Sequence, residues 1–207
     1  MTECTLPKYS FQRLGKRRVE ASFDGGCITS DGGALLLRQV EDRFGVIRQF
    51  AACFTDHRDA DFIDHTVTEL VGQRVYGLAL GYEDLNDHDD LRTDPLFASV
   101  VGKVDPTGAG RSRKRDRGKA LAGKSTLNRL ELSPVDADSS HRYKKIVADS
   151  DKIDRFFVEA FLQMHERAPE RIVLDLDATD DPIHGNQEGR FFHGYYKEYC
   201  YLPLYIF

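Results

Sequence analysis

Four carboxylates fall within seven residues near the C-terminal end of the chain: Asp175, Asp177, Asp180 and Asp181. Like charges at that density repel one another unless a cation sits among them. Ile172, Val173, Leu174 and Leu176 surround the first pair and predict a short buried strand. Side chains at i and i+2 share a strand face, so Asp175 and Asp177 point the same way. A buried strand face seldom holds two ionisable groups without a ligand for them. Hard oxygen donors of this kind suit Mg²⁺ or Mn²⁺. The same residues also fit an edge strand with solvated aspartates and an Asp-Pro turn.

A second chemistry-bearing stretch is basic. Arg111, Arg113, Lys114, Arg115, Arg117 and Lys119 place six cations in nine positions, against the single acid Asp116. They lie at the end of a Gly- and Arg-rich linker, residues 102–118, that has no apolar periodicity. Such a run contacts phosphates through counterion release, and nucleic acid is the expected partner. A solvated loop is the alternative.

Directly after it, Gly118 to Ser125 matches the phosphate-loop pattern GxxxxGK[ST] in full. That loop works only after a buried strand, which aims its amides at the nucleotide phosphates. Residues 111–117 cannot be such a strand, so no nucleotide-binding residue is assigned, and a P-loop nucleotide hydrolase is the weakest reading. Asp56 to His65 and Asp84 to Asp90 are rich in Asp and His, but their spacing matches no common metal site. Solvated turns before helix starts explain them more simply.

The elements that must position these groups follow from the apolar pattern. Residues 1–17 read as a polar, basic terminal arm, which could be loose or could contact DNA. Val19 to Phe23 reads as a strand ended by Gly25-Gly26, with Ile28-Thr29 as its partner. Ser30 caps a helix bearing Leu35, Leu36, Val40 and Phe44, and Gly45 ends it. Val67 to Leu80 is a largely buried amphipathic helix ended by Gly81. Asp94-Pro95 opens another helix, and Thr126 to Leu132 forms one broken by Ser133-Pro134. Tyr143 to Val147 begins a further helix, and Ser150 caps one whose stripe is Ile153, Phe156, Phe157, Ala160, Phe161 and Met164. His193-Gly194 turns a hairpin between Phe191-Phe192 and the tyrosine run beyond. Stacking of those aromatics on DNA bases is the other reading.

The 207 residues are 41% hydrophobic and 30% charged, with a net charge of −5 and no tryptophan. That composition suits a soluble protein with a substantial core. No apolar stretch is long enough to span a membrane. Cys4, Cys27, Cys53 and Cys200 are scattered without a CxxC, which favours a reducing, cytoplasmic setting over a disulfide scaffold or a zinc ribbon.

Several strings resemble transposases of the IS1380 family. They are "ITSDGGALLLRQVEDRFG", "QRVYGLALGYEDLNDHDDLRTDPLF", "TLNRLE" and "IVLDLDATDDPIHGNQEGRFFHGYYKEYCYLPLYIF", in matching order. The resemblance implies a DDE-type enzyme with an RNase H-like catalytic domain, in which three acidic residues hold two metal ions. Family members commonly differ locally where this chain has Gly123-Lys124-Ser125. Its first acid stands in an Asp-x-Thr context, here Asp177-Ala178-Thr179, with Asp175 as the alternate metal ligand. Mg²⁺ or Mn²⁺ is expected only in the complete site. The metals would activate water and then a DNA 3′-hydroxyl for in-line attack on a phosphodiester.

The expected fold class is α+β. A mostly helical region with a short β-hairpin spans residues 1–168, and residues 169–207 begin the RNase H-like domain. The family's second and third acids come later in its order, and the chain stops in an apolar strand. The expectation is therefore an N-terminal portion truncated within the catalytic domain, inactive by itself. The partner would be double-stranded DNA at transposon ends, with a homo-oligomer for the full-length protein. A non-catalytic DNA-binding or regulatory fragment is the alternative.

Overall fold

The computed structural model describes residues 8–22 and 31–206. It mixes helices and strands as an α+β chain does, and divides into two compact units, Met1–Met164 and His165–Phe207. The Ser30 cap, the Gly25-Gly26 stop and the Ile28-Thr29 partner strand lie outside the described residues.

The first unit opens on a hairpin. Strand β1 (Tyr9–Leu14) pairs antiparallel with β2 (Arg17–Ala21), with Phe11 opposite Val19. Residues 9–17 are thus not a loose arm, and the Val19 strand pairs upstream. The cause is visible in the residues. Gly15 takes the left-handed turn at φ 60, Leu14 is buried, and Phe11 and Val19 pack on the core.

Helix α1 (Ala34–Phe44) ends at Gly45 with φ 66, as expected. Its inward face is Ala34 and Leu35, whereas Leu36 and Val40 are exposed. Next come α2 (Val46–Ala51), β3 (Phe54–Asp56) and α3 (Val67–Ala79). A complete capping box starts α3: Glu69 N–H donates to Thr66 Oγ1, and Thr66 N–H donates to the Glu69 carboxylate. Then follow α4 (His88–Leu91), α5 (Pro95–Val101) and α6 (Lys124–Glu131). Asp94 Oδ1 caps α5 by accepting from Leu96 and Phe97 N–H.

Two expectations fail at the end of this unit. Residues 146–148 do not begin a helix; they form strand β4 (Ile146–Ala148), antiparallel to β3. The β-branched pair Ile146-Val147 finds a strand partner there. Helix α7 (Ser150–Gln163) is capped by Asp149 instead of Ser150, with the carboxylate accepting from Lys152 N–H. Its apolar stripe is mostly uncovered. Phe156 is buried beside Phe50 of α2, but Phe157, Phe161 and Met164 are exposed. Among the larger contacts α7 has one helical neighbour, α2, and one helix covers only one narrow face.

Helix α3 holds the core together, packing on α2, α5 and α6. Leu70, Phe97, Val100 and Leu127 are fully buried around it. Two polar residues share that interior. Gln73 of α3 is 1% exposed and His88 of α4 is 0% exposed. The Gln73 amide donates to Ala122 C=O at 2.7 Å and accepts from Ala122 N–H at 2.9 Å. The same Nε2 lies 3.1 Å from His88 Nδ1, which must accept from it. Burial first, then the charge of Arg74, pushes the His88 imidazole pKa down. A neutral His88 with its proton on Nε2 fits this geometry, and that N–H has no partner among the described residues. Gly77 makes the packing possible, because a Cβ there would stand 2.8 Å from the imidazole Cε1.

The second unit is built from short strands. They are β5 (Leu176–Ala178), β6 (Asp181–Pro182), β7 (Phe191–His193), β8 (Glu198–Tyr201) and β9 (Leu204–Ile206). Leu176 faces Ile206 and Pro182 faces Cys200, so one antiparallel register runs through both pairs. A Thr179 N–H to Pro203 C=O bond carries it across the break. Strand β7 pairs on the other side of β8 in the expected hairpin, closed by Lys197 N–H donating to His193 C=O. Ile172, Val173 and Leu174 are not a buried strand. They precede β5, and Val173 is 72% exposed. The described residues of this unit form no helix, so the unit itself supplies no second layer over these side chains.

Replacing Gln73 by Ala strands the Ala122 N–H and C=O in an apolar interior. Each unsatisfied group costs about 1–3 kcal/mol. Urea unfolding should therefore show a stability loss of roughly 2–4 kcal/mol; a loss under about 0.5 kcal/mol would mean that the pairing is dispensable.

A pH prediction follows from the buried histidines. Burial and the charges of Lys103, Arg111 and Arg58 push His65 from 6.5 down to about 3. Between those values the unfolded chain binds the proton and the folded chain does not, so stability falls as pH drops from 6.5 toward 3. Above 6.5 both states are neutral and this dependence disappears. The unfolding free energy from denaturant titrations should fall less between pH 7 and 4.5 in His65→Gln than in wild type, by on the order of 2 kcal/mol. Equal losses in both proteins would contradict the assignment.

Candidate nucleic-acid interface and catalytic carboxylates

The basic run is folded, not a free loop. Asp105 gathers the turn before it, accepting from Thr107 N–H, Thr107 Oγ1 and Gly110 N–H. Gly108 sits at φ 64 with its Cβ position 2.7 Å from the Ala120 backbone nitrogen, so only glycine lets the turn lie against residues 119–120. Gly118 N–H then donates to Gly108 C=O. Beyond it Ala120, Leu121 and Ala122 are buried, strapped by Gln73 and by Leu121 N–H donating to Arg92 C=O. These attachments hold the cations of residues 111–119 against the helical core.

The six basic residues divide. Arg111 is turned inward: one guanidinium nitrogen donates to His65 Nε2 at 3.2 Å and another lies 3.5 Å from Asp64. That bond requires His65 to be neutral, in agreement with its depressed pKa. Arg117 donates to Arg111 C=O, and Lys119 to Arg115 C=O. Arg113 and Lys114 are exposed. Arg115 is also exposed, and among the described residues only the long 3.8 Å approach of Asp116 competes for it.

Arg111, Arg113, Arg115 and Lys119 line one wall of a cavity of about 360 Å³. Arg58, Arg92 and Arg129 line it too, with Asp64 and Asp116 as its carboxylates among the described residues. Sequence reasoning missed those three arginines. They lie on a loop after β3, the end of α4, and α6, and no local spacing announces their convergence. Arg58 is held rigid by two bonds to Asp56, at 2.8 and 2.7 Å. An excess of planar guanidinium groups around a polar hollow suits phosphate oxygens, which they grip in pairs.

The phosphate-loop pattern has a different use. Gly123 precedes α6, but the carboxylate of Asp89 already lies at the helix start, 3.3 Å from Lys124 N–H. Lys124 Nζ donates to Asn86 Oδ1 at 2.8 Å and lies 3.6 Å from Asp89. Protein groups thus take the places that a nucleotide phosphate would need, and no strand precedes the loop.

In the second unit, Asp177 lies in β5 opposite Tyr205, and Asp175 just before the strand. Both are exposed. Thr179 Oγ1 donates to Asp177 Oδ2 at 3.2 Å, so the Asp-x-Thr pair interlocks locally. Asp181 faces Tyr201 farther along the same register. These residues do not by themselves fit a resident cation. Among the described residues no three His, Cys, Asp or Glu side chains converge to hold one, and Mg²⁺ requires several placed oxygens. The acidic stretches at 56–65 and 84–90 are used as ion pairs and caps: Asp56 with Arg58, Asp84 accepting from Asn86 N–H, and Asp89 with Lys124.

Among the described residues no helix is long and apolar enough to cross a membrane. No curated protein and no solved structure matches the chain. The family model described as transposase DDE domain group 1 matches residues 11–207, a span that takes in both the basic hollow and the Asp-x-Thr strand. By that match the chain belongs to the transposase DDE domain group 1 family.

Proposed function

We propose that residues 1–207 act in DNA transposition as the N-terminal part of a DDE transposase of the IS1380 type. In this reading residues 1–168 grip the duplex at the element's ends. Residues 169–207 begin an RNase H-like catalytic domain whose first acid is Asp177. The family match and the local Asp177–Thr179 pair support Asp177, with Asp175 as the alternate. The other acids would come from later sequence, as the resemblance implies, and complete a site for Mg²⁺ or Mn²⁺. Cleavage, strand transfer, a cytoplasmic location and assembly as a homo-oligomer belong to the same proposal.

The observation that carries the DNA-binding part is the cavity in which Arg113, Arg115 and Lys119 meet Arg58, Arg92 and Arg129. In a chain of net charge −5, such a gathering of cations costs mutual repulsion that an anionic partner relieves. A DNA-binding or regulatory role without cleavage draws on the same cavity. Nucleotide hydrolysis is disfavoured by Asp89 at the start of α6.

The test is duplex binding by the 207-residue chain across a salt series. Wild type should bind in a strongly salt-dependent way. Changing Arg113, Lys114 and Arg115 together to Ala should weaken binding to all sequences alike and flatten the slope of log K against log salt by about 1 per lost phosphate contact. An unchanged slope would sink the assignment of this surface.

A further inference from the structure

A second basic groove is lined in part by Lys124, Ser125, Asn128 and Arg129 of α6. Its cavity, about 630 Å³, is lined by Asn86, Lys124, Arg129, Arg142, Tyr143 and Lys144 among others, and among the described residues no carboxylate lines it. Arg129 also lines the first cavity, so the two hollows meet at that residue. We propose that this groove binds a further stretch of the duplex DNA phosphate backbone, continuous with the first cavity across Arg129, with Arg142 and Lys144 as its principal phosphate contacts.

The side chains are arranged for an anion. Lys124 is already engaged by Asn86 and Asp89, so it orders the wall more than it attracts a ligand. Arg129 and Arg142 are held instead against the ring of Tyr143, with guanidinium carbons 4.9 and 4.8 Å from its centroid. Stacking on an aromatic ring fixes a guanidinium while leaving its N–H groups free to donate. Tyr143 itself is 53% exposed, so the cationic cluster opens to solvent. The groove is too large for a single phosphate to fill, and its junction with the first cavity favours a polymer running through both. None of this is visible in the motif-bearing run, because Arg142 and Lys144 sit in the connection leading to β4.

The inference rests on the DNA-binding reading above, and its test separates the two. Duplex affinity of the 207-residue chain is measured across a salt series for wild type, Arg142→Ala/Lys144→Ala, Arg142→Lys and Arg113→Ala/Lys114→Ala/Arg115→Ala. Loss of two phosphate contacts should lower the salt slope by about 1.8 in the Arg142/Lys144 variant. Arg142→Lys, which keeps the charge, should leave the slope close to wild type. If the double variant fails to fold, Arg142→Glu at this exposed position must still weaken binding. An unchanged slope in the Arg142/Lys144 variant, with flattening in the 113–115 variant, overturns the second groove and leaves the DNA reading standing. No duplex binding by wild type overturns both.

Discussion

One side chain carries an unusual share of this architecture. Gln73, inside the central helix α3, pairs with both backbone groups of Ala122, the last residue before Gly123 and α6. That backbone segment has no sheet to lie in, and its N–H and C=O would be unsatisfied in the core. The glutamine serves as a one-residue strand for it. Its remaining N–H turns to His88 Nδ1, which ties α4 to the same point. The segment also links the basic run to α6, so the pairing fixes where the cations of residues 111–119 stand relative to Arg129.

The electrostatics follow from that placement. The two hollows gather guanidinium groups from five separate places in the chain, and several are oriented by a neighbour within the first unit. Arg58 is clamped by Asp56, Arg111 by Asp64 and neutral His65, and Arg129 and Arg142 by Tyr143. A charged His65 would add a further cation against Arg111, so its burial in the neutral form is part of how that arginine can be turned inward. The outer cations, Arg113 and Arg115, keep weaker partners or none among the described residues. This grading separates cations that shape the hollow from cations left exposed at its rim.

Local signals were legible in the sequence, and convergent ones were not. The Gly45 stop, the Asp94-Pro95 start, the buried helix from Val67 and the β7–β8 hairpin all depend on residues within a few positions of one another, and all appear. Readings that needed knowledge of packing partners failed. Ile172 to Leu174 look like a core strand by type, yet nothing in their unit covers them. The stripe on α7 has the right period for a core, but α2 shields only Phe156. Ile146-Val147 read as helical until β3 is seen beside them. At the candidate site the run 111–119 stood out by composition. Arg58, Arg92 and Arg129, each single in its local sequence, carried no signal. Type and spacing marked the cluster Asp175, Asp177, Asp180 and Asp181, and only the family resemblance singled out Asp177; its exposure and its bond from Thr179 show a local arrangement, not a finished site.

On the function proposed above, a basic surface holds DNA and a carboxylate on β5 takes part in its cleavage. Cleavage of DNA bearing the element's ends, in the presence of Mg²⁺, tests this most directly. The assay compares residues 1–207, the longest product of the same reading frame, and that product with Asp177→Asn or Asp181→Asn. The account predicts no cleavage by residues 1–207 and cleavage by the longer product. Asp177→Asn should abolish that cleavage, and Asp181→Asn should reduce it less. Metal-dependent cleavage by residues 1–207 that Asp177→Asn removes would show that these residues complete a site unaided. Full activity of the longer Asp177→Asn protein would contradict the central assignment outright.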